Sequence, residues 1–184
     1  FEDGCKKLKA QFNLKIKQGS DELSNLYCFN YNQIKTKQKD HPIVKESRGV
    51  IIERSNDESC HRIVCLPFNR FFNHGERYAD EIDWETSRVT MKEDGSLLKL
   101  YHYNGKWIPA TRQTISIYDE NNFMNIWESV KDKIDFNQLN TDHTYIFELV
   151  GPDNKIVVNY PDHDLYHLGT RDLNTGEELH IDIG

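Results

Sequence analysis

The stretch "TMKEDGSLLKLYHYNGKW", residues 90–107, decides how this chain is read. "SLLKLYHY" and the following "KWIPATR" have strand composition, and Asn104-Gly105 between them is a pair that favours a tight hairpin turn. On the other side, "SRVTMK" runs into Glu93-Asp94-Gly95, which predicts a second turn with Lys92 ending the strand before it. A lysine, two acids and a glycine at such a mouth are either turn decoration or a chemical site.

Outward from this segment the chain alternates short β-rich runs with polar punctuation. "NLYCFNYN", the β-branched run around Val50–Ile52, "HRIVC" ahead of Pro67, "TYIFELVG", "KIVVNYP" and "DLYHLGTRD" are expected strands, and "NTGEE" is a last turn. Ser20-Asp-Glu-Leu resembles a helix start. Asp119 to Ile134 is the clearest helix: Phe123, Ile126, Trp127, Val130 and Ile134 fall on one face, with Asp119 as its cap. The pattern predicts an α+β domain of mostly antiparallel sheets with flanking helices.

The 184 residues suit one domain with a real core, and 37% hydrophobic with 11% aromatic content excludes a disordered chain. A net charge of −7 excludes a global basic footprint, so any nucleic-acid site is a local patch. No apolar run spans a bilayer and no secretory pattern opens the chain, which predicts no membrane partner and an intracellular setting: cytoplasm, or nucleus or host cytoplasm for a viral protein. Cys5, Cys28, Cys60 and Cys65 match no disulfide framework and are expected as thiols. Cys60, His61 and Cys65 lack the second ligand cluster that zinc spacing requires.

Lys92 has the makings of a nucleophile. A free lysine has a pKa of about 10.4, so about one in a thousand is an amine at neutral pH; desolvation or nearby cations raise that fraction. The amine can then attack the α-phosphorus of a nucleoside triphosphate. Such a step needs cations on the leaving pyrophosphate and carboxylates for a divalent metal or the ribose. Arg48, Arg70 and Arg112 come from three separate elements. Asp94 would share a face with Lys92 in an extended segment, Gly95 lets the backbone turn close to a ligand, and Glu148 sits inside the apolar run "YIFELV". Each has a plainer reading. Lys-x-Asp-Gly can be an ordinary turn, arginines are mostly surface charges, Glu148 can point outward, and Phe71 and Phe72 are expected in the core.

Together these residues resemble the covalent nucleotidyltransferase superfamily of ATP-dependent ligases and mRNA capping enzymes, most nearly the phage-type RNA ligase 1 family. "KEDGS" at 92–96 matches the nucleophile motif, and "SRGVIIE" at 47–53 the upstream Arg-Gly strand. "PFNRFFNHGE" at 67–76 resembles the basic-aromatic loop, with Arg70 where that family usually has lysine; "FELVGPDNKIVVNY" at 147–160 and "LYHLGTRDLNTGEE" resemble its next two motifs. The likeness runs co-linearly from near residue 26 to near residue 179. It implies that Lys92 is adenylylated, that Arg48 and Arg70 contact the ATP phosphates, and that Arg112 lies near ribose or phosphate. Glu148 would meet ribose or hydrated Mg2+ (or Mn2+), with Asp94 joining through metal-bound water. Tyr166 or Leu168 would pack on adenine.

The resemblance also implies an ATP-dependent sealing of RNA 5′-phosphate and 3′-hydroxyl ends, in repair or splicing of broken RNA such as tRNA. Its last two motifs, a Glu-Gly strand and a Lys-x-Lys strand, are not found before Gly184. Residues 1–184 are therefore expected to be the N-terminal part of one adenylyltransferase domain, with weak ATP binding and impaired adenylylation. A DNA ligase, a capping guanylyltransferase and a non-catalytic nucleotide- or RNA-binding module are the alternatives.

Overall fold

Two antiparallel sheets stack face to face and each carries a helix on its outer face; the computed structural model describes residues 1–57, 60–119, 121–181 and 183. Helix α1 (Glu2–Phe12) leads into β1 (Lys15–Gln18), β2 (Leu26–Asn30), the short α2 (Pro42–Glu46), β3 (Arg48–Glu53) and β4 (Arg62–Cys65). Then follow β5 (Ser96–Tyr103), β6 (Lys106–Thr111), α3 (Asn121–Val130), β7 (His143–Val150), β8 (Asp164–Asp172) and β9 (Glu178–Leu179). The first sheet has strand order β1-β2-β3-β4 and the second β6-β5-β7-β8-β9.

Strand alternation sorts the layers. Leu26, Cys28, Ile51, Val64 and Cys65 meet Tyr101, Tyr103, Ile108 and Ala110 between the sheets. Leu98, Leu100, Tyr145, Phe147 and Leu149 point the other way, onto Ile126, Trp127 and Val130 of α3. Phe29 and Val50 turn outward, where Phe1, Cys5 and Leu8 at α1 cover them. Burying each such side chain contributes about 1.5–3 kcal/mol. The β5–β6 hairpin forms as expected, with φ of 48° at Asn104 and 77° at Gly105, both positive as its tight turn requires.

Two expected strands are absent among the described residues. Residues 87–95 form no strand, so Lys92 lies in irregular chain leading into β5 rather than at a strand end. The reason is topological: β5 pairs with β6 on one side and β7 on the other, so the segment that precedes it finds no place beside β5. "KIVVNYP" also fails to pair, because β7 and β8 bond directly from Val150↔Asp164 onward and residues 151–163 loop out. Ile156 and Val157 are accordingly exposed despite their β-branched character.

The helix expected from Asp119 to Ile134 is shorter. Asp119 closes a 3-10 turn, Ile117–Asp119, instead of capping, α3 opens at Asn121, and residue 120 of that expectation lies outside the described residues. Ser20 precedes a 3-10 turn, Asp21–Leu23, without a side-chain capping bond.

Candidate functional site

Glu148 is the deepest of the acidic site candidates. Alternation along β7 puts Tyr145, Phe147 and Leu149 against α3, so Glu148 faces the gap between the sheets. There its Oε1 accepts a hydrogen bond from the Gly95 amide at 3.0 Å. Burial pushes the carboxyl above its ordinary range; the Gly95 N–H, Lys92 and Arg48 pull the other way, and Asp94 pushes it further up. Gly95 is there for space: a Cβ would lie 2.2 Å from the Leu149 carbonyl oxygen.

Lys92, Arg48, Arg112, Glu148 and Leu168 line one cavity of about 920 Å³. Arg48 opens β3, Arg112 follows β6, Glu148 comes from β7 and Leu168 from β8. The cavity is therefore built by residues of both sheets, with Arg48 and Arg112 at strand ends and Glu148 and Leu168 within their strands. Leu168 is the extra residue of a β-bulge, since the partner of β7 jumps from Gly169 at Ile146 to His167 at Phe147. Tyr166 pairs with Glu148 but is not among the cavity-lining residues, so of the two candidates it is Leu168 that the fold turns to the cavity.

The arginines are held by aromatic rings rather than by acids. The Arg48 guanidinium lies 4.7 Å from the centroid of Phe71, which is 65% exposed and not in the core as expected. Arg70 lies 4.4 Å from the Tyr31 ring and 4.9 Å from Phe72, and Arg112 5.1 Å from the same Tyr31. Arg48, Arg70, Lys92 and Arg112 have no carboxylate within ion-pair distance among the described residues. Buried Nη1 atoms of Arg48 and Arg70 have no hydrogen-bond partner. Burial lowers the Arg48 pKa, Tyr31 opposes this and Arg112 reinforces it; an arginine still stays charged. Unpaired guanidinium N–H groups beside an open cavity suit a polyanion. Arg70, however, lines a neighbouring cavity and not the one that holds Lys92.

Asp94 is engaged elsewhere. Its Oδ2 accepts the amides of Val157 and Val158 at 2.6 and 2.7 Å, which hold its carboxyl below the usual range. Tyr160 completes a clamp: its hydroxyl donates to Glu93 at 2.7 Å and accepts from the Asp94 amide at 3.1 Å. So "KEDG" is fixed by the looped-out segment 151–163, and Asp94 serves first as an anchor. For a hydrated divalent cation, which keeps several waters and takes one or two carboxylates, Glu148 fits: it lines the cavity and the Gly95 bond occupies only Oε1.

Sequence reasoning missed Tyr31, Tyr160 and Lys99. The buried Lys99 donates to the Gly49 carbonyl at 2.5 Å and lies 3.5 Å from Cys28 Sγ. It ties the start of β3 in the first sheet to β5 of the second. Its signal was a lysine inside the apolar run "LLKLY".

A lysine, two arginines and a half-buried carboxylate thus line one cavity, a set whose charge suits a phosphate ligand. The RNA ligase family profile matches residues 46–181, and the chain belongs to that family, of the phage type. It is 29% identical to a protein of Autographa californica nuclear polyhedrosis virus that carries the name of a bifunctional polynucleotide kinase/RNA ligase, over 95% of this chain and 28% of that one. It is 25% identical to an RNA ligase of Rhodothermus phage RM378, over 74% of this chain and 39% of that one. The chain thus spans well under half the length of these relatives. An archaeal ATP-dependent RNA ligase structure shares the fold, with a TM-score of 0.51 and 14% identity over 96% of this chain and 44% of the other. Among the described residues no helix is long and apolar enough to cross a membrane.

Proposed function

We propose that the chain is the adenylyl-accepting part of an ATP-dependent RNA ligase. The carrying observation is the convergence of Lys92, Arg48, Arg112 and Glu148, from separate segments, on one cavity in a chain of that family. ATP is the substrate of the first step. The Lys92 amine, having lost a proton, forms an N–P bond to the α-phosphorus as the bond to the β-phosphate oxygen breaks and pyrophosphate leaves. Arg48 and Arg112 hold the charge that accumulates on the phosphates, supplying it from fixed positions rather than from reorganising water. Leu168 offers an apolar face to the base. Glu148 holds ribose or a hydrated magnesium ion, and the metal when bound supplies Lewis-acid stabilisation of the phosphates. AMP then passes to an RNA 5′-phosphate, and a 3′-hydroxyl displaces it to seal broken RNA, tRNA included.

The test is intact mass after incubation with ATP and magnesium, with Lys92→Ala beside it, and a thermal melt with and without ATP. The native chain is expected to gain one adenylyl group, slowly and incompletely, and the variant none. The reading fails if ATP neither raises the melting temperature nor adds that group, or if Lys92→Ala is labelled equally.

A further inference from the structure

Behind Phe68 and Phe71, which line both spaces, a second cavity of about 410 Å³ adjoins the first. Lys45 at the end of α2, Arg70, and Arg171 on β8 line it, together with Asn69, Asp80 and Glu178. Its polar groups are incompletely satisfied, and in two opposite senses. Arg70 Nη1 and Arg171 Nε are buried donors without a partner, and Asn69 Oδ1 is a buried acceptor without one. Arg171 is 9% exposed and spends Nη2 on the Gly176 carbonyl; it has no carboxylate within ion-pair distance among the described residues, although Glu178 is its cross-strand neighbour. Lys45 meets Asp80 at 3.7 Å, but that aspartate side chain is 82% exposed, so the pair is weak and readily exchanged.

Unsatisfied buried donors call for an anion, and an unsatisfied acceptor calls for a hydroxyl or amine donor. A free phosphate or pyrophosphate keeps a proton or two at neutral pH, but only on the same oxygens that the cationic groups would take. A ribonucleotide unit supplies both, with phosphate oxygens for the guanidinium and ammonium groups and a 2′-hydroxyl for Asn69 Oδ1. Resting on the RNA ligase reading, we propose that this second cavity is a sugar–phosphate subsite for the RNA strand: Lys45, Arg70 and Arg171 take one backbone phosphate, and Asn69 Oδ1 accepts from the adjacent 2′-hydroxyl. The site both anchors the strand beside the Lys92 cavity and distinguishes RNA from DNA.

The experiment is fluorescence anisotropy of a 5′-phosphorylated single-stranded RNA, and of DNA of the same sequence, over a range of salt and without ATP. Lys45→Ala and Arg171→Gln are each expected to weaken RNA binding and to lower the salt slope by about 0.7. Asn69→Ala is expected to cut the preference for RNA over DNA about threefold to tenfold. Arg171→Lys keeps the charge and should keep the slope, which covers the case in which Arg171→Gln does not fold; Lys6→Ala on exposed α1 is the control. Unchanged slopes in Lys45→Ala, an unchanged RNA preference in Asn69→Ala, or no RNA binding by the native chain would overturn the subsite. So would RNA binding that is unaffected by Lys45→Ala while the KM for ATP in lysyl-AMP formation rises, since the cavity would then take ATP phosphates. A chain that never takes AMP yet binds RNA through Lys45 and Asn69 would retract the ligase reading and keep the subsite.

Discussion

Gly49 is the position at which a single methyl group should do the most damage. Its φ is +100°, and an added Cβ would lie 2.5 Å from the Arg112 carbonyl oxygen and 3.2 Å from Lys99 Nζ. The backbone conformation alone costs an L-residue about 1–3 kcal/mol. The contact with Arg112 adds to this, because the neighbour is backbone and cannot swing aside. A total of roughly 2–4 kcal/mol in Gly49→Ala should lower the melting temperature by roughly 5–12 °C for a chain of this size. The damage is also directed. Relieving the overlap must part β3 from the end of β6, separating Arg48 from Arg112, so adenylyl transfer should fall by more than the loss of folded protein explains. Gly4→Ala is the contrast: nothing lies within 4 Å of its added Cβ, and in helix α1 the change should stabilise by about 1 kcal/mol. Circular-dichroism melts with mass-detected adenylylation measure both. Gly49→Ala melting within a degree of the native chain would refute the reasoning that this junction is closed by contact with the Arg112 backbone.

The carboxylates make opposite pH predictions. Burial raises Glu148 above its unfolded pKa, so the folded chain holds its proton more tightly and loses stability as pH rises through the folded value. Glu148→Gln should therefore melt higher than the native chain at pH 7, converge with it near pH 4, and take no AMP; melts across pH 4–8 check this. Asp94 is lowered instead, so its hold on the Val157 and Val158 amides is complete above about pH 4, its unfolded value, and is lost as pH falls through the lower folded value. Asp94→Asn should raise hydrogen exchange at those two amides at every pH above that value. Tyr31→Leu removes the ring under Arg70 and Arg112, worth about 0.5–1 kcal/mol per contact, and should raise the KM for ATP several-fold; Tyr31→Phe, which keeps the ring, should recover most of it.

Local pattern made β2 to β8 legible, because each is a run of strand-forming residues bounded by turn chemistry. It misplaced "SRVTMK" and "KIVVNYP" for a reason no local pattern holds: β5 pairs with both β6 and β7, so the segment before it cannot join it, and β7 pairs directly with β8, so residues 151–163 loop out. Helix α1 was readable and was passed over, since Phe1, Cys5, Leu8 and Phe12 fall at helical spacing amid charged residues. For the site, residue type and order pointed to Lys92, Arg48, Arg112 and Glu148, and the fold gathers these on one cavity. Which neighbours support them was not legible. Tyr31 and Tyr160 act by ring and hydroxyl from segments far away in the chain, and tyrosines inside β-rich runs read equally well as core.

How a chain of net charge −7 maintains a cationic centre follows from what surrounds its cations. On the periphery several basic side chains are paired with acids, as Lys106 is with Glu22 at 3.0 Å and Lys133 with Asp164 at 2.7 Å. At the two cavities Arg48, Arg70 and Arg112 instead stack on Tyr31, Phe71 and Phe72. A ring stabilises a guanidinium by its quadrupole without neutralising it, so the positive potential stays available to a ligand. An acid in the ring's place would cancel that potential and would have to be displaced before phosphate could bind. Replacing Phe71 by Glu should therefore weaken ATP binding more than replacing it by Ala. The two substitutions remove the same ring, so the difference between them measures the value of leaving Arg48 unpaired; equal losses would mean that the aromatic cradle only fills space.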